Sequence, residues 1–182
     1  MPKWYRFAHM DTNYVTTGDR VVKGQLIGTI GNGNKWSSKG VINTIVRIFI
    51  KYFAHVHFDI SRKAITQEYV TGWSKKAVKD QYVNPYDDMK EEDYDENDII
   101  DFDHLGWDWL DWSPSQGLWH PGLDLNGPGA GDADFGLPIY APIDGVVTYE
   151  KRTWGSNGGW GNVIVIKKDD AECKHCELHC PK

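Results

Sequence analysis

The chain has 182 residues, 40% hydrophobic and 13% aromatic, with 20 Lys+Arg against 26 Asp+Glu and a formal net charge of −6. That size and apolar content suit one ordinary domain with its own core. No apolar run approaches the roughly 20 residues of a membrane-spanning helix, and a net-acidic chain with no basic helix is a poor candidate for nucleic-acid binding.

Met1-Pro2-Lys3-Trp4-Tyr5 has no signal-peptide core, so any export signal is missing, unusual or unnecessary. Gly18-Asp19, Gly24-Gln25 and Gly31-Asn32-Gly33-Asn34 are closely spaced turn signals that predict an antiparallel β protein. Val41 to Phe53 is ambiguous between a buried strand and a helix. In Ala54-His55-Val56-His57-Phe58-Asp59-Ile60 polar and apolar residues alternate, which predicts a strand. Residues i and i+2 on a strand face the same way about 6.6 Å apart, so the two imidazoles stand side by side. One could serve a metal and the other a reacting water; the plainer alternative is the polar outer face of a strand. Lys75 to Val83 predicts one short helix.

The charge is unevenly spread. Between Asp87 and Asp103 lie ten carboxylates and one Lys90, leaving 16 acids against 19 bases elsewhere, a net of +3. Carboxylates at that density repel each other and bury little, so this segment reads as a solvated connection that includes a solvated His104. Trp107, Trp109, Trp112 and Trp119 follow, either packing the connection onto the body or lining a substrate groove. In His120-Pro121-Gly122-Leu123-Asp124 the Pro-Gly pair argues against a helix, so a turn must bring imidazole and carboxylate together. These are zinc-type ligands, and a catalytic zinc keeps three protein ligands with water in the fourth position. Alone this motif is weak; with His55 and His57 it supplies a two-histidine, one-aspartate set with an imidazole to spare. Val146 to Tyr149 and Asn162 to Ile166 are short β-branched strands bounded by glycine or charge.

All three cysteines crowd into Cys173-Lys-His-Cys176-Glu-Leu-His-Cys180, so the core is no disulfide framework. With His175 and His179 they offer soft ligands for a second zinc. Ordinary zinc modules draw ligands from two separated knuckles, however, which favours a flexible terminus with reactive thiols.

His120-Pro-Gly-Leu-Asp124 and His55-Val-His57-Phe58 resemble the two signature motifs of the lysostaphin-type (LytM-like) zinc endopeptidases, which cut peptide bonds in peptidoglycan. Ala141-Pro142-Ile143-Asp144-Gly145-Val146-Val147 and Gly161-Asn162-Val163-Ile164-Val165-Ile166 are similar to strands that follow the first motif. Phe7-Ala8-His9-Met10 resembles the family's Y-x-H-L segment, Thr17 to Gly28 its G-D-x-V-x-x-G-Q-x-I-G hairpin, and Val83-Asn84-Pro85-Tyr86 its usual close. Two departures touch no metal ligand: Asn34 to Phe53 is longer than the family's link, and Gly31-Asn32-Gly33-Asn34 replaces its Ser-Thr-Gly turn.

The order of the halves is reversed, which implies a circular permutation. Residues 1–89 match the family's second half and 119–170 its first, with 90–118 an acidic, Trp-rich connecting strap and 171–182 a Cys/His-rich tail. The fold implied is mainly β, an antiparallel sandwich or barrel-sandwich-hybrid-like metallopeptidase domain with a groove. A strap of roughly 30 residues spans about 30 Å as a coil, so closure within one monomer is favoured over a domain-swapped oligomer.

Carried over residue by residue, the resemblance implies one zinc held by His120, Asp124 and His57, with His55 as the general base for the water. His9 would orient water or stabilise the oxyanion. The partners implied are peptidoglycan peptides in the cell envelope or outside the cell, with a phage-associated protein as a further option. The alternatives are a non-catalytic wall-binding or regulatory module, or a structural component of a virion or envelope. Whether the strap also covers the groove as an acidic lid is a further expectation.

Overall fold

A computed structural model describes residues 1–31, 54–67, 74–114, 117–129, 132–152 and 160–169. The segment from Val41 to Phe53 and the cysteine tail lie outside the described residues. Among those described, no helix is long and apolar enough to cross a membrane.

The protein is mainly β and its strands pair antiparallel, as the alternation and turn spacing predict, without forming a closed barrel among the described residues. Strand β1 (Trp4–Asn13) is the organising element. Along one edge it pairs with β12 (Asn162–Lys168). Along the other it pairs first with β4 (Val56–Ser61), through Ala8, and then from Met10 with β3 (Leu26–Ile30). Beyond β12 lie β11 (Gly145–Lys151) and β2 (Arg20–Val21); beyond β3 lies β10 (Pro138–Tyr140). Beyond β4 lie β9 (Leu123–Asn126) and β6 (His104–Leu105), while the short β5 (Tyr82–Val83) also pairs with β4.

Alternation divides the sheet into two faces. Tyr5 and Phe7 of β1, Val56, Phe58 and Ile60 of β4, Leu123 and Leu125 of β9, and Ile164 and Ile166 of β12 share one core. Ile27, Ile30 and Ile139 join them from β3 and β10, so the sheet folds over its own apolar face. The opposite parity, Arg6, His57, Asp59 and Asp124, faces away from that core.

The first and last described strands are neighbours: the Lys168 backbone N–H donates to the Lys3 carbonyl at 3.0 Å. Both halves of the chain therefore meet in one sheet of a single chain, with β4 from the first half bonded to β9 from the second.

The predicted helix forms as α1 (Lys75–Gln81), begun by Ser74, whose side chain accepts from the Ala77 N–H. It stops before Val83 because Tyr82 is extended and pairs with Ser61.

The acidic segment departs from expectation. It is not a solvated connection: α2 (Pro85–Glu92) begins at Asn84, whose side chain caps Tyr86, and a 3-10 turn follows at Glu96–Asp98. Met89, Tyr94, Ile99 and Ile100 enter the main core. Between the carboxylates stand enough large apolar residues to bury one side of the segment, and repulsion is relieved by cations of the body. Lys3 Nζ reaches Asp88 (2.6 Å), Glu91 (2.8 Å) and Glu92 (3.4 Å). Lys168 pairs with Glu92, and Lys23 Nζ donates to the Asp93 carbonyl at 2.6 Å. His104 is exposed beside Asp103, as predicted.

Asp88 is the fastening point. It is 0% exposed, and besides Lys3 it accepts from the Tyr5 hydroxyl at 2.9 Å and the Tyr94 hydroxyl at 2.8 Å. Burial and the Asp88 charge push both phenols above their ordinary pKa, keeping them neutral donors. Removing one partner of such a buried cluster leaves the others unpaired. Asp88→Ala is therefore expected to lose about 3 kcal/mol of unfolding free energy in urea titrations, whereas a loss below about 0.5 kcal/mol would assign Asp88 an ordinary surface role.

Candidate active site

Three strands set the site side by side. Asp124 of β9 stands directly opposite His57 of β4, and His57 directly opposite Ala8 of β1. The small Ala8 leaves the imidazole room. Gly122 makes this register attainable: a Cβ there would lie 2.1 Å from the Phe58 carbonyl oxygen and 2.7 Å from the Asp59 Cβ. Only glycine lets the start of β9 close onto β4.

His120 precedes β9 and is held by its backbone: its N–H donates to the Asp111 carbonyl at 2.8 Å, and its carbonyl accepts from Leu110 at 3.0 Å. The ring is held as well, with Nδ1 3.1 Å from the Asp108 carbonyl. A carbonyl only accepts, so Nδ1 carries the proton and Nε2 presents its lone pair. On the other ring, His57 Nε2 lies 2.8 Å from Asp59 Oδ2, turning Nδ1 towards Asp124. Three ligand atoms thereby converge: His57 Nδ1 to Asp124 Oδ1 is 2.9 Å, His57 Nδ1 to His120 Nε2 is 3.0 Å, and His120 Nε2 to Asp124 Oδ1 is 3.2 Å. Ligands about 2.0–2.1 Å from a tetrahedral zinc lie roughly 3.3–3.4 Å apart, so this triangle fits the ion after a small expansion. Two imidazole nitrogens and one carboxylate oxygen are also the right chemistry.

His55 and His9 join them. His55 Nε2 lies 3.7 Å from Asp124 Oδ2, and the His9 and His55 ring centroids are 4.7 Å apart. By parity His9 belongs with Phe7 on the core face. It reaches the site because β1 bulges there: Phe7 pairs with Ile164 but Met10 with Asn162, one residue more than regular alternation allows. His9 takes φ 60, an uncommon conformation for a non-glycine residue that costs of order 1–3 kcal/mol. Its backbone is fixed by the Trp160 carbonyl, accepting from His9 N–H at 2.7 Å, and by Gly31 N–H, donating to its carbonyl at 2.8 Å. All five residues singled out in the sequence (His9, His55, His57, His120 and Asp124) thus meet on one face.

Several partners were not singled out. Asp59 and Arg6 lie behind His57, and Trp160 stacks on His9 with centroids 5.6 Å apart at 10°. The connecting strap contributes too. Its Trp107 carbonyl accepts from Asp124 N–H at 2.9 Å, its Asp108 carbonyl orients His120, and the Trp107 ring lies 6.4 Å from the His120 ring. Trp112 of β7 (Trp112–Ser113) pairs with Trp119 of β8 (Leu118–Trp119), rings 5.2 Å apart, in a small hairpin one residue before His120. Trp109 packs on the core, so the Trp-rich stretch both seals the body and borders the site. Of the acidic segment's carboxylates, Asp88, Glu91 and Glu92 meet Lys3, Glu92 also meets Lys168, and Asp98 lies 3.8 Å from Lys23. A separate depression lined by Lys3, Arg62, Lys79, Tyr82 and Trp109 includes none of the five site side chains.

Charge is concentrated here. Burial alone would depress the His57 pKa, but hydrogen bonds and charge from Asp124 and Asp59 outweigh it and raise the group to about 9. Burial would raise Asp124, yet His120, His55 and His57 hold its carboxyl well below the usual carboxylate range. A proton on His57 Nδ1 therefore lies between Asp124 and His120, where a divalent cation would compete with it.

No protein-family model, curated protein or solved structure matches the chain.

The His57 shift predicts a pH dependence for the metal-free protein. Its folded pKa of about 9 exceeds the ordinary 6.5, so its contribution to stability is complete below pH 6.5 and is lost as pH rises through 9. Chelator-treated protein should melt lower at about pH 9.5 than near neutrality, and His57→Gln should remove most of that difference. Circular dichroism melts at both pH values test it, and identical pH slopes in the two proteins would contradict a protonated His57.

Proposed function

We propose that the protein is a zinc-dependent endopeptidase that hydrolyses peptide bonds in peptidoglycan crosslinks or bridges. The observation that carries this reading is the convergence of His57 Nδ1, His120 Nε2 and Asp124 Oδ1 within 2.9–3.2 Å, with His55 and His9 on the same face. The resemblance to lysostaphin-type peptidases supplies the substrate class. The antiparallel pairing of β1 with β12, the terminal strands of the described chain, supports the permuted order, because an opened hairpin leaves its two strands paired.

When bound, zinc supplies Lewis acidity that lowers the pKa of water towards roughly 7 and polarises a carbonyl. His57, His120 and Asp124 would hold it. His55, whose Nε2 lies 3.7 Å from the outer oxygen of Asp124, would take a proton from the attacking water and return it to the departing amine. His9, held rigidly by its bulge and by the Trp160 stack, would donate to the oxygen on which negative charge develops. The exposed Trp107, its ring centre 6.4 Å from that of His120, would offer an apolar face to the substrate chain.

One zinc per chain is expected by metal analysis after dialysis against the ion. His120→Ala should lose both zinc and hydrolysis, whereas His55→Ala should keep zinc and lose at least 100-fold in rate. Digestion of defined peptidoglycan with product masses fixes the bond. Zinc binding without any cleaved product would favour the wall-binding module, and no zinc at all would overturn the metallopeptidase reading.

A further inference from the structure

Behind the ligand set lies a buried ion pair that the proposed chemistry does not use. Arg6 is 1% exposed and Asp59 0%. They stand directly opposite each other on β1 and β4. Arg6 Nε donates to Asp59 Oδ2 at 2.9 Å, and Nη2 donates to the same oxygen. His57 Nε2 is the third donor to that atom, at 2.8 Å. Asp59 Oδ1, equally buried, accepts no hydrogen bond among the described residues.

This asymmetry is informative. An aspartate serving only an arginine meets its fork with both oxygens, because two parallel bonds are stronger than a shared one. Here both Arg6 donors crowd onto the one oxygen that His57 also uses, leaving the other unpaired. The arrangement satisfies the imidazole at the expense of the ion pair. Arg6 is in turn held from its far side, its guanidinium carbon 5.4 Å from the Trp160 ring centre. Trp160 stacks on His9 and meets the His57 ring edge-on, with centroids 5.6 Å apart in both cases.

We infer that Arg6 and Asp59 form a positioning unit that locks His57 as the tautomer ligating through Nδ1, and that Trp160 carries the same constraint to His9. The unit rests on the reading of His57 as a metal ligand, and it acts through that ring without touching substrate. With Nε2–H committed to Asp59, the only lone pair His57 can present is the one facing His120 and Asp124. Without the carboxylate, the ring is free to exchange tautomers and to rotate. Partners of this kind typically account for 10–100-fold in metal affinity.

The test replaces the whole pair. Arg6→Met with Asp59→Leu removes both charges at similar volume, a change that buried pairs often tolerate without loss of stability. Zinc affinity is measured by chelator competition, and the protonated ring nitrogen of His57 by long-range proton–nitrogen NMR. The double variant should melt cooperatively, bind zinc 10–100-fold more weakly and lose the single Nε2–H tautomer. Asp59→Asn keeps an acceptor oxygen and should fall in between. A folded double variant with wild-type affinity and an unchanged tautomer overturns the inference. If the double variant does not fold, wild-type affinity in Asp59→Asn overturns it instead. A wild-type protein that binds no zinc would defeat the metal reading alone, because the tautomer of the metal-free ring at alkaline pH still decides what Arg6 and Asp59 do.

Discussion

The register between β4 and β9 is the constraint on which the site depends. His57 faces Asp124 across that pair, and Leu123 and Leu125 fall on the opposite face, in the core. A slip of one residue would turn Asp124 into the apolar layer and bring a leucine up beside His57. Burial of the leucines therefore holds the carboxylate in place, and core and site are specified by the same alternation. Gly122 is the local condition for this register, since any side chain there would strike the backbone of Phe58.

Burying charge on the back of a sheet is costly unless each charge has a partner. The strands meet that cost as a chain of contacts, from Arg6 to Asp59, to His57, and on to Asp124 and His120. Asp59 is held ionised because Arg6 and His57 outweigh its burial. In the metal-free protein a proton on His57 completes the balance, and a metal would displace it. The charges of the site therefore fix one another's geometry, and a cation held among them would meet them with little reordering.

What the sequence disclosed follows from locality. His55, His57, His120 and Asp124 lie in short motifs where strand alternation or a Pro-Gly turn already limits where a side chain points. Asp59 was legible by the same rule, being two residues beyond His57 on one strand, yet its pairing with Arg6 is a contact across strands that no spacing reveals. His9 runs the other way: strict alternation places it in the core, and only the bulge turns it out. In the acidic segment charge density masks the helix start signals. Asn84 before Pro85, with Asp87 and Asp88 in the first turn, is a well-formed helix N-terminus, and Met89, Tyr94, Ile99 and Ile100 supply its apolar side.

That segment also fastens the strand that carries part of the site. β1 begins at Trp4, and a strand end opens locally unless it is tied down. Arg6 and His9 both lie on it, so fraying would loosen the His57 clamp and the His9 bulge together. The ties come from α2: Asp88 accepts from Lys3 immediately before β1 and from Tyr5 within it, while Glu92 draws in Lys168 from the neighbouring β12. The carboxylates of this segment are thus matched to lysines at neighbouring strand ends, Lys3 before β1 and Lys168 at the end of β12. The acidic segment therefore fastens the neighbouring strands β1 and β12 at the same end, and through β1 it supports Arg6 and His9.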